Sequence, residues 1–187
     1  NTRKPPTPLN TTAFTTDASS RLGITPSRAM RIAEDLYMDG YISYPRTDNT
    51  VYPKSLDVKE LVSELVGIDD FKAAEFLLDG RALDPTRGKK ETTDHPPIYP
   101  TSAVNPHRLE ARSEAHRKVY ELVARRFLAT FSPPMISEST RANIETARGS
   151  GSRETASKDS EVREAGETYF IRGSVVVDPG YAAIYTY

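Results

Sequence analysis

The strongest constraint on the fold of this chain lies between residues 16 and 40, where the ends of two short helices are marked. Residues 16–23 have the pattern of a capped helix that ends in glycine, and Thr25 and Pro26 then supply an N-cap and a first-turn proline. The second helix stops at Gly40 and groups its apolar residues on one face: Ala29, Met30, Ala33, Leu36 and Tyr37. The pattern predicts a helix-turn-helix followed by a wing-like element, and a plain helical hairpin is the alternative.

The segment after this second helix contains a tyrosine and an arginine at a spacing that suggests chemistry. The sequence GYISYPRTDNT (residues 40–50) places Tyr44 two residues before Arg46. A phenol is a weak nucleophile because its ordinary pKa is about 10, but a nearby cation favours the phenolate and can hold a phosphate oxygen. One interpretation is covalent attack by Tyr44 on a phosphodiester, with Arg46 on the phosphoryl group. The other is an ordinary alternating strand, because this spacing is common by chance.

Further helices are predicted in the middle of the chain. Amphipathic patterns that end at Gly67 and Gly80 indicate two of them, a charged stretch at residues 81–94 indicates a loop, and residues 113–130 indicate a long helix. The basic residues of the long helix lie mostly away from its apolar stripe and form either solvated surface or a phosphate-tracking face. They are Arg117, Lys118, Arg125 and Arg126.

The last quarter of the chain has the character of a β structure. Residues 138–146 alternate polar and apolar side chains, and residues 169–177 and 181–187 indicate two strands around a turn at Pro179 and Gly180. Between the alternating segment 138–146 and these two strands, residues 148–166 are rich in Gly, Ser, Glu and Lys and should be mobile. Their Gly-Ser-Gly-Ser start is compatible with either a natural loop tip or an engineered graft.

Composition narrows the classes of protein. The chain has 25 Lys and Arg against 26 Asp and Glu, which argues against nucleic-acid binding by bulk charge but leaves room for a local basic groove. It has no cysteine, so disulfides and thiolate metal sites are excluded. No apolar run approaches bilayer length, and no signal peptide is recognisable. The first residue is Asn1, and we expect the chain to be a fragment of a larger intracellular protein.

Three motifs together resemble the type IA DNA topoisomerases. GYISYPRTDNTVYP (residues 40–53) resembles their active-site segment, in the form found in archaeal topoisomerase I and in topoisomerase III. DHPPIYPT (residues 94–101) resembles their histidine box, and PPTPLNTT (residues 5–12) resembles the proline-rich motif that precedes the tyrosine domain. The motifs follow the family's order, and the resemblance is good over residues 4–145 and looser beyond.

The resemblance implies roles for particular residues. Tyr44 would be the nucleophile that forms a 5′-phosphotyrosyl bond, Arg46 would stabilise charge on the phosphoryl oxygens, and His95 would donate a hydrogen bond to the same phosphate. Asp48 would orient Arg46 or Thr47, or else form an Asx-turn. The expected DNA-binding set comprises Arg46, Thr47, Asp48, Lys89, Lys90 and His95.

The resemblance also implies an architecture and partners. The fold would be α+β, with a mostly helical, winged-helix-like (CAP-like) tyrosine domain at residues 11–134. Residues 1–10 and 135–187 would be pieces of a β gate domain. The family's Mg²⁺ is bound by a separate acidic domain, and because this sequence has no Asp-x-Asp, we expect no metal ligand here.

The implied function is relaxation of negatively supercoiled DNA through transient cleavage of one strand. The partners would be single-stranded or negatively supercoiled DNA and the missing acidic and gate domains, with no membrane, in an archaeal cytoplasm at the nucleoid. The alternative is a non-catalytic winged-helix DNA-binding module in which Tyr44 only packs. A tyrosine recombinase or relaxase is a weaker option, because its wider set of catalytic His and Arg residues is not found.

Overall fold

The computed structural model describes residues 1–80, 82–145 and 168–185. In this part the chain is α+β, as predicted, and combines helices with a three-stranded antiparallel sheet. The α-helices are α1 (Thr11–Leu22), α2 (Pro26–Met38), α3 (Val58–Val66) and α4 (Glu114–Ala129). The 3-10 helices are Asp69–Leu78, Pro106–Ala111 and Gly180–Ala183, and the strands are β1 (Thr2–Arg3), β2 (Met135–Glu145) and β3 (Thr168–Asp178). The loop predicted to be mobile, residues 148–166, lies outside the described residues.

The first two helices form the predicted pair, but α1 begins earlier than its pattern indicated. Asn10 caps it, because the Asn10 side-chain oxygen accepts a hydrogen bond from the backbone N–H of Ala13 at 2.9 Å. α1 ends at Gly23, whose φ of 65° lies in the left-handed region. α2 buries Ile32 together with the predicted Ala29, Ala33 and Leu36, whereas Met30 is only partly buried against the core and Tyr37 is 41% exposed. The exposed side of α2 at Tyr37 can therefore contact the segment that follows the helix.

Helix α4 is the centre of the core and packs against α1 and α2. Its buried stripe agrees with the prediction and is extended by further residues: Val119, Tyr120, Leu122, Val123, Ala124, Phe127, Leu128 and Ala129. Tyr52 and Tyr99 pack against Phe127, with ring centroids 5.4 and 6.2 Å away. These two tyrosines therefore belong to an aromatic cluster of the core.

Two arginines of α4 correct the prediction that its charges are solvated or track phosphates. Arg126 is only 9% exposed, and it donates to the Asp17 carboxylate at 2.7 Å and to the carbonyl of Thr7 at 2.9 Å. Arg125 donates to the carbonyl of Asp70 at 2.9 Å. Both side chains hold elements of the fold together, since their donors are used inside the protein.

The sheet joins the two ends of the described chain in the order β1-β2-β3. Thr2 of β1 lies opposite Ile136 of β2, and β2 pairs with β3 along nearly its whole length. Many apolar side chains of the two long strands are exposed, among them Ile144, Tyr169, Phe170, Ile171, Val175, Val176 and Val177. The short strand β1 thus shares one sheet with β2 and β3.

The strand predicted at residues 181–187 is wrong for residues 181–185, and residues 186 and 187 lie outside the described part of the chain. Residues Gly180–Ala183 form a 3-10 helix, and Ile184 and Tyr185 are buried. A Cβ added to Gly180 would lie 2.4 Å from the carbonyl oxygen of Pro134, and Tyr181 donates its backbone N–H to the carbonyl of Pro133 at 2.9 Å. This close approach brings the residues after β3 back against the core, where Ile184 is buried. Among the helices that the structure describes, none combines the length and apolarity that crossing a membrane requires.

Candidate active site

The three sequence motifs, far apart along the chain, meet beside the C-terminal end of α2. The tyrosine segment runs antiparallel to the histidine box, and the backbone N–H of Ser43 donates to the carbonyl of Tyr99 at 2.9 Å. The proline-rich motif pairs with the same box, since the N–H of Ile98 donates to the carbonyl of Leu9 at 2.8 Å. Backbone pairing therefore fixes the tyrosine segment relative to the histidine box.

Tyr44 is half-buried, and its ring contacts two other aromatic rings. The ring of Tyr37 is 5.2 Å away, centroid to centroid, in an edge-to-face arrangement at 69°. The ring of His95 is 4.6 Å away and tilted by 51°, and His95 is itself exposed. The prediction that the histidine box folds back over the tyrosine segment is confirmed, and it brings an imidazole next to the phenol.

Arg46 lies at the surface with 60% of its side chain exposed. Its Nε donates to the Oε1 atom of Glu34 on α2 at 3.0 Å, and its Nη2 contacts the same oxygen. The guanidinium is therefore held against α2, two residues along from Tyr44. Of the expected phosphate ligands, Arg46 and His95 are both exposed on the segments that adjoin Tyr44.

Asp48 has a different partner from the ones expected. Its carboxylate accepts a hydrogen bond from the ammonium of Lys90 at 2.5 Å, so it orients neither Arg46 nor Thr47. The Asx-turn is formed by the next residue, Asn49, whose side-chain oxygen accepts from the N–H of Val51 at 3.0 Å. The Asp48–Lys90 pair links the tyrosine segment to the basic loop ahead of the histidine box.

Thr47 is buried, with 5% exposure, which corrects its expected contact with DNA. Its hydroxyl donates to the carbonyl of His95 at 3.2 Å and accepts from the N–H of Asn49 at 3.0 Å. Its backbone N–H donates to the Thr11 hydroxyl at 2.9 Å. The Thr47 hydroxyl therefore makes its hydrogen bonds inside the protein and positions the segments around Tyr44.

Asn49 is a buried residue of the site that the sequence reasoning missed. Its amide nitrogen donates to the carbonyls of Thr92 at 2.8 Å and His95 at 3.1 Å. Together with Thr47, it holds the backbone that presents the His95 ring. The one signal in the sequence was the position of Asn49 directly after Asp48 in a turn-prone segment. The sequence suggested an Asx-turn at Asp48 as one alternative, whereas Asn49 forms it.

Comparison with known proteins now decides the family. A family model described as DNA topoisomerase matches residues 1–187, the whole of the chain. The chain belongs to the DNA topoisomerase family. DNA topoisomerase 1 of Archaeoglobus fulgidus is 40% identical over 182 residues, which are 97% of this chain and 24% of that protein. DNA topoisomerase 3 of Schizosaccharomyces pombe is 33% identical over 187 residues, covering 100% of this chain and 27% of that one.

A solved structure agrees on the fold. Full-length topoisomerase I from Thermotoga maritima superposes with a TM-score of 0.59 at 24% identity, over 100% of this chain and 28% of that one. The resemblance to type IA topoisomerases is thus confirmed over the whole chain. This topoisomerase segment spans about a quarter of the length of the curated relatives named above.

The basic loop of the topoisomerase segment borders the tyrosine segment on one side. Its backbone is tied to Thr50, whose N–H donates to the carbonyl of Lys90 at 2.8 Å. Lys89 is exposed, Lys90 is paired with Asp48, and Arg87 contacts Glu91. A groove of about 410 Å³ runs between residues 49–54 and 87–96 and reaches His95. Lys54 and His95 line this groove and are exposed, and Lys89 is an exposed cation on the same loop.

The carboxylate beside His95 is held in its charged form. The nearby polar side chain of Thr92, together with the backbone N–H groups of His95 and Asp94, favours the charged carboxylate and lowers the pKa of Asp94 below its ordinary value. The loop therefore keeps a negative charge next to the imidazole. Within the described ranges, no group of three or more His, Asp or Glu side chains is arranged to hold a metal ion. The described residues thus do not fit the Mg²⁺ site that the family implies.

The bonds of Asn49 predict a local effect of its truncation. Asn49→Ala should lower the free energy of unfolding by about 1–3 kcal/mol, because it removes the hydrogen bonds that the buried Asn49 amide donates to the carbonyls of Thr92 and His95. It should also speed hydrogen exchange at residues 92–95 in the histidine loop. Asn143→Ala on β2 is the matched control, since Asn143 is exposed, and it should change neither quantity. Unchanged exchange in the loop of Asn49→Ala would contradict the role given to Asn49.

Proposed function

We propose that this segment carries the nucleophile of a type IA DNA topoisomerase and that Tyr44 attacks a backbone phosphate of one DNA strand. The observation that carries the proposal is the grouping of three chemically matched side chains from two distant motifs. The Tyr44 ring contacts the His95 ring, and the exposed Arg46 follows on the same segment. Such a group supplies a nucleophile together with donors for a phosphate.

The proposed reaction is a transesterification. The phenol oxygen of Tyr44 forms a bond to phosphorus while the bond from phosphorus to the 3′-oxygen of the upstream nucleotide breaks. The phenol proton is lost and the 3′-oxygen gains one, which leaves a 5′-phosphotyrosyl bond and a free 3′-hydroxyl. Arg46 and His95 donate hydrogen bonds to the non-bridging oxygens, where charge increases in the transition state. The reverse attack reseals the strand without ATP, because one phosphodiester replaces another.

The proposal also covers the domain organisation of the chain, its DNA substrate and the Mg²⁺ ion. We place α1, α2 and the following segment as a CAP-like winged helix within a tyrosine domain at residues 11–134, with residues 1–10 and 135–187 in the gate. The strand β1 supports this division, because it pairs with β2 and not with the helical part. Single-stranded or negatively supercoiled DNA is the proposed substrate, acted on at the nucleoid of an archaeal cytoplasm. Mg²⁺ would be held by an acidic domain of the same protein, outside residues 1–187.

A non-catalytic winged-helix module is the second candidate, because the Tyr44 ring packs against Tyr37 and His95 as a structural residue would. The exposed guanidinium of Arg46 favours the first candidate. An arginine whose only role was structural would bury its donors, as Arg126 does.

Adduct trapping separates the two candidates. The full-length protein is mixed with a single-stranded oligonucleotide labelled at either its 3′ or its 5′ end, and the reaction is stopped with denaturant. We expect label on the protein from the 3′-labelled strand alone, since Tyr44 would hold the 5′ end of the downstream piece. Label from the 5′-labelled strand would contradict the proposed polarity, and absence of any adduct would favour the binding module. The isolated segment 1–187 should not relax supercoiled DNA, even with magnesium.

A further inference from the structure

We propose that helix α2 provides two positioning residues for this reaction, Glu34 acting through Arg46 and Tyr37 acting through Tyr44. This inference rests on the proposed function and extends it to residues that no motif of the sequence singled out. Glu34 and Tyr37 are three positions apart on α2, so their side chains lie on the same side of the helix. The residues between and beside them, Ala33 and Leu36, are buried and fix the rotation of α2 about its axis.

The contact between Glu34 and Arg46 leaves one edge of the guanidinium open. Nε and Nη2 of Arg46 form one edge of the planar group, and both point at the single oxygen Oε1 of Glu34. The other edge, with Nη1 and the outer hydrogen of Nη2, has no partner among the described residues. This second edge has the fork geometry that binds two phosphate oxygens at once. Glu34 therefore sets the plane of the guanidinium without occupying the donors that a phosphate needs.

Tyr37 positions the nucleophile in a similar way. Its ring meets the Tyr44 ring edge to face at 5.2 Å, and Tyr44 also contacts the His95 ring. With two neighbouring rings in contact, the Tyr44 ring has fewer alternative rotamers. Helix α2 thus contacts both Tyr44 and Arg46. The reaction depends on the placement of these two residues relative to each other.

The acidic neighbours of Glu34 on α2 are turned to other partners. Asp35 lies 3.2 Å from the Nε2 atom of His116, and Asp39 accepts from Arg112 at 2.9 Å. Glu34 is 40% exposed in its side chain and Arg46 is 60% exposed, so their ion pair should add little to folding stability. A pair of this kind is better explained by orientation of Arg46 than by stabilisation of the fold.

A double-mutant cycle in the full-length protein tests the role of Glu34. The variants are Glu34→Ala, Arg46→Ala and the double variant, and the measured quantities are the rate of adduct formation at saturating oligonucleotide and the affinity for that oligonucleotide. Misplacement of a reacting group lowers rates strongly, so Glu34→Ala should form adduct roughly 10- to 100-fold more slowly, with affinity nearly unchanged. In the Arg46→Ala background, the same change should have no further effect, because Glu34 acts through Arg46.

Conservative variants and a matched control sharpen the test. Glu34→Gln keeps an oxygen that accepts from Arg46, so its rate should lie between those of the wild type and Glu34→Ala. Tyr37→Phe keeps the ring and should lose less than Tyr37→Ala. Glu75→Ala removes an exposed carboxylate of the 3-10 helix Asp69–Leu78 and should leave the rate unchanged.

Two results would overturn the inference. One is a wild-type rate in Glu34→Ala, and the other is an equal loss from Glu34→Ala in the presence and absence of Arg46. Neither result touches the proposed function, which fails only if the wild-type protein forms no adduct or if Tyr44 is not the attached residue.

Discussion

The full-length protein with Tyr44→Phe is expected to form no detectable covalent adduct with DNA, while its fold and its DNA affinity are retained. Loss of a catalytic nucleophile lowers the rate by on the order of 10⁶-fold, which is beyond detection in a trapping assay. The fold should survive because the substitution removes only the hydroxyl, for which the described residues supply no hydrogen-bond partner. The ring contacts with Tyr37 and His95 are kept by phenylalanine.

The measurement is adduct trapping with the 3′-labelled oligonucleotide, run together with a thermal unfolding curve for each variant. Tyr181→Phe is the matched control, since Tyr181 is a partly buried tyrosine beside the sheet and outside the site. It should trap DNA as the wild type does. An adduct of normal yield in Tyr44→Phe would show that another residue is the nucleophile and would remove the basis of the proposed mechanism.

The helices were predictable where their ends carry local signals. Gly23 and Gly40 mark real ends, and Thr25 with Pro26 marks a real start, because these signals act within a single turn of the chain. The start of α1 was misplaced because Asn10, its cap, stands directly after a proline-rich stretch that indicated an extended chain. The strand expected at residues 181–187 failed for another reason: burial of Ile184 and Tyr185 against the helical part outweighs local β propensity.

The candidate site was predictable only as far as its motifs extend. The tyrosine segment and the histidine box follow each other in the order found in the family. This order led to the correct prediction that His95 lies beside Tyr44. The partners Glu34 and Lys90 could not be foreseen, since each comes from a different element and each pairing depends on tertiary placement. Thr47 was expected at the DNA surface, and nothing in its local sequence reveals that its hydroxyl is buried beneath the histidine loop.

A buried ionic network predicts the largest loss of stability in the described chain. The Asp17 carboxylate on α1 accepts from Arg126 on α4 at 2.7 Å and from the Tyr185 hydroxyl at 2.6 Å. Burial raises the pKa of Tyr185 well above its ordinary value, so the phenol stays protonated and keeps donating. The network therefore joins two helices to the residues that follow β3.

Asp17→Ala should lower the free energy of unfolding by about 3–5 kcal/mol, because it leaves the buried Arg126 charge without its carboxylate. Arg126 keeps its bond to the carbonyl of Thr7, but a neutral carbonyl does not compensate a full charge.

Urea unfolding of the single variant and of Asp17→Ala combined with Arg126→Met measures the effect. The double variant should recover part of the loss, since methionine removes the uncompensated charge and fills similar volume. Asp69→Ala, which breaks the exposed pair with Lys72, is the control and should leave stability unchanged. If Asp17→Ala unfolded at the same urea concentration as the wild type, the network would contribute nothing to the fold, and the residues after β3 would be held by their other contacts, such as the hydrogen bond from the Tyr181 N–H to the carbonyl of Pro133.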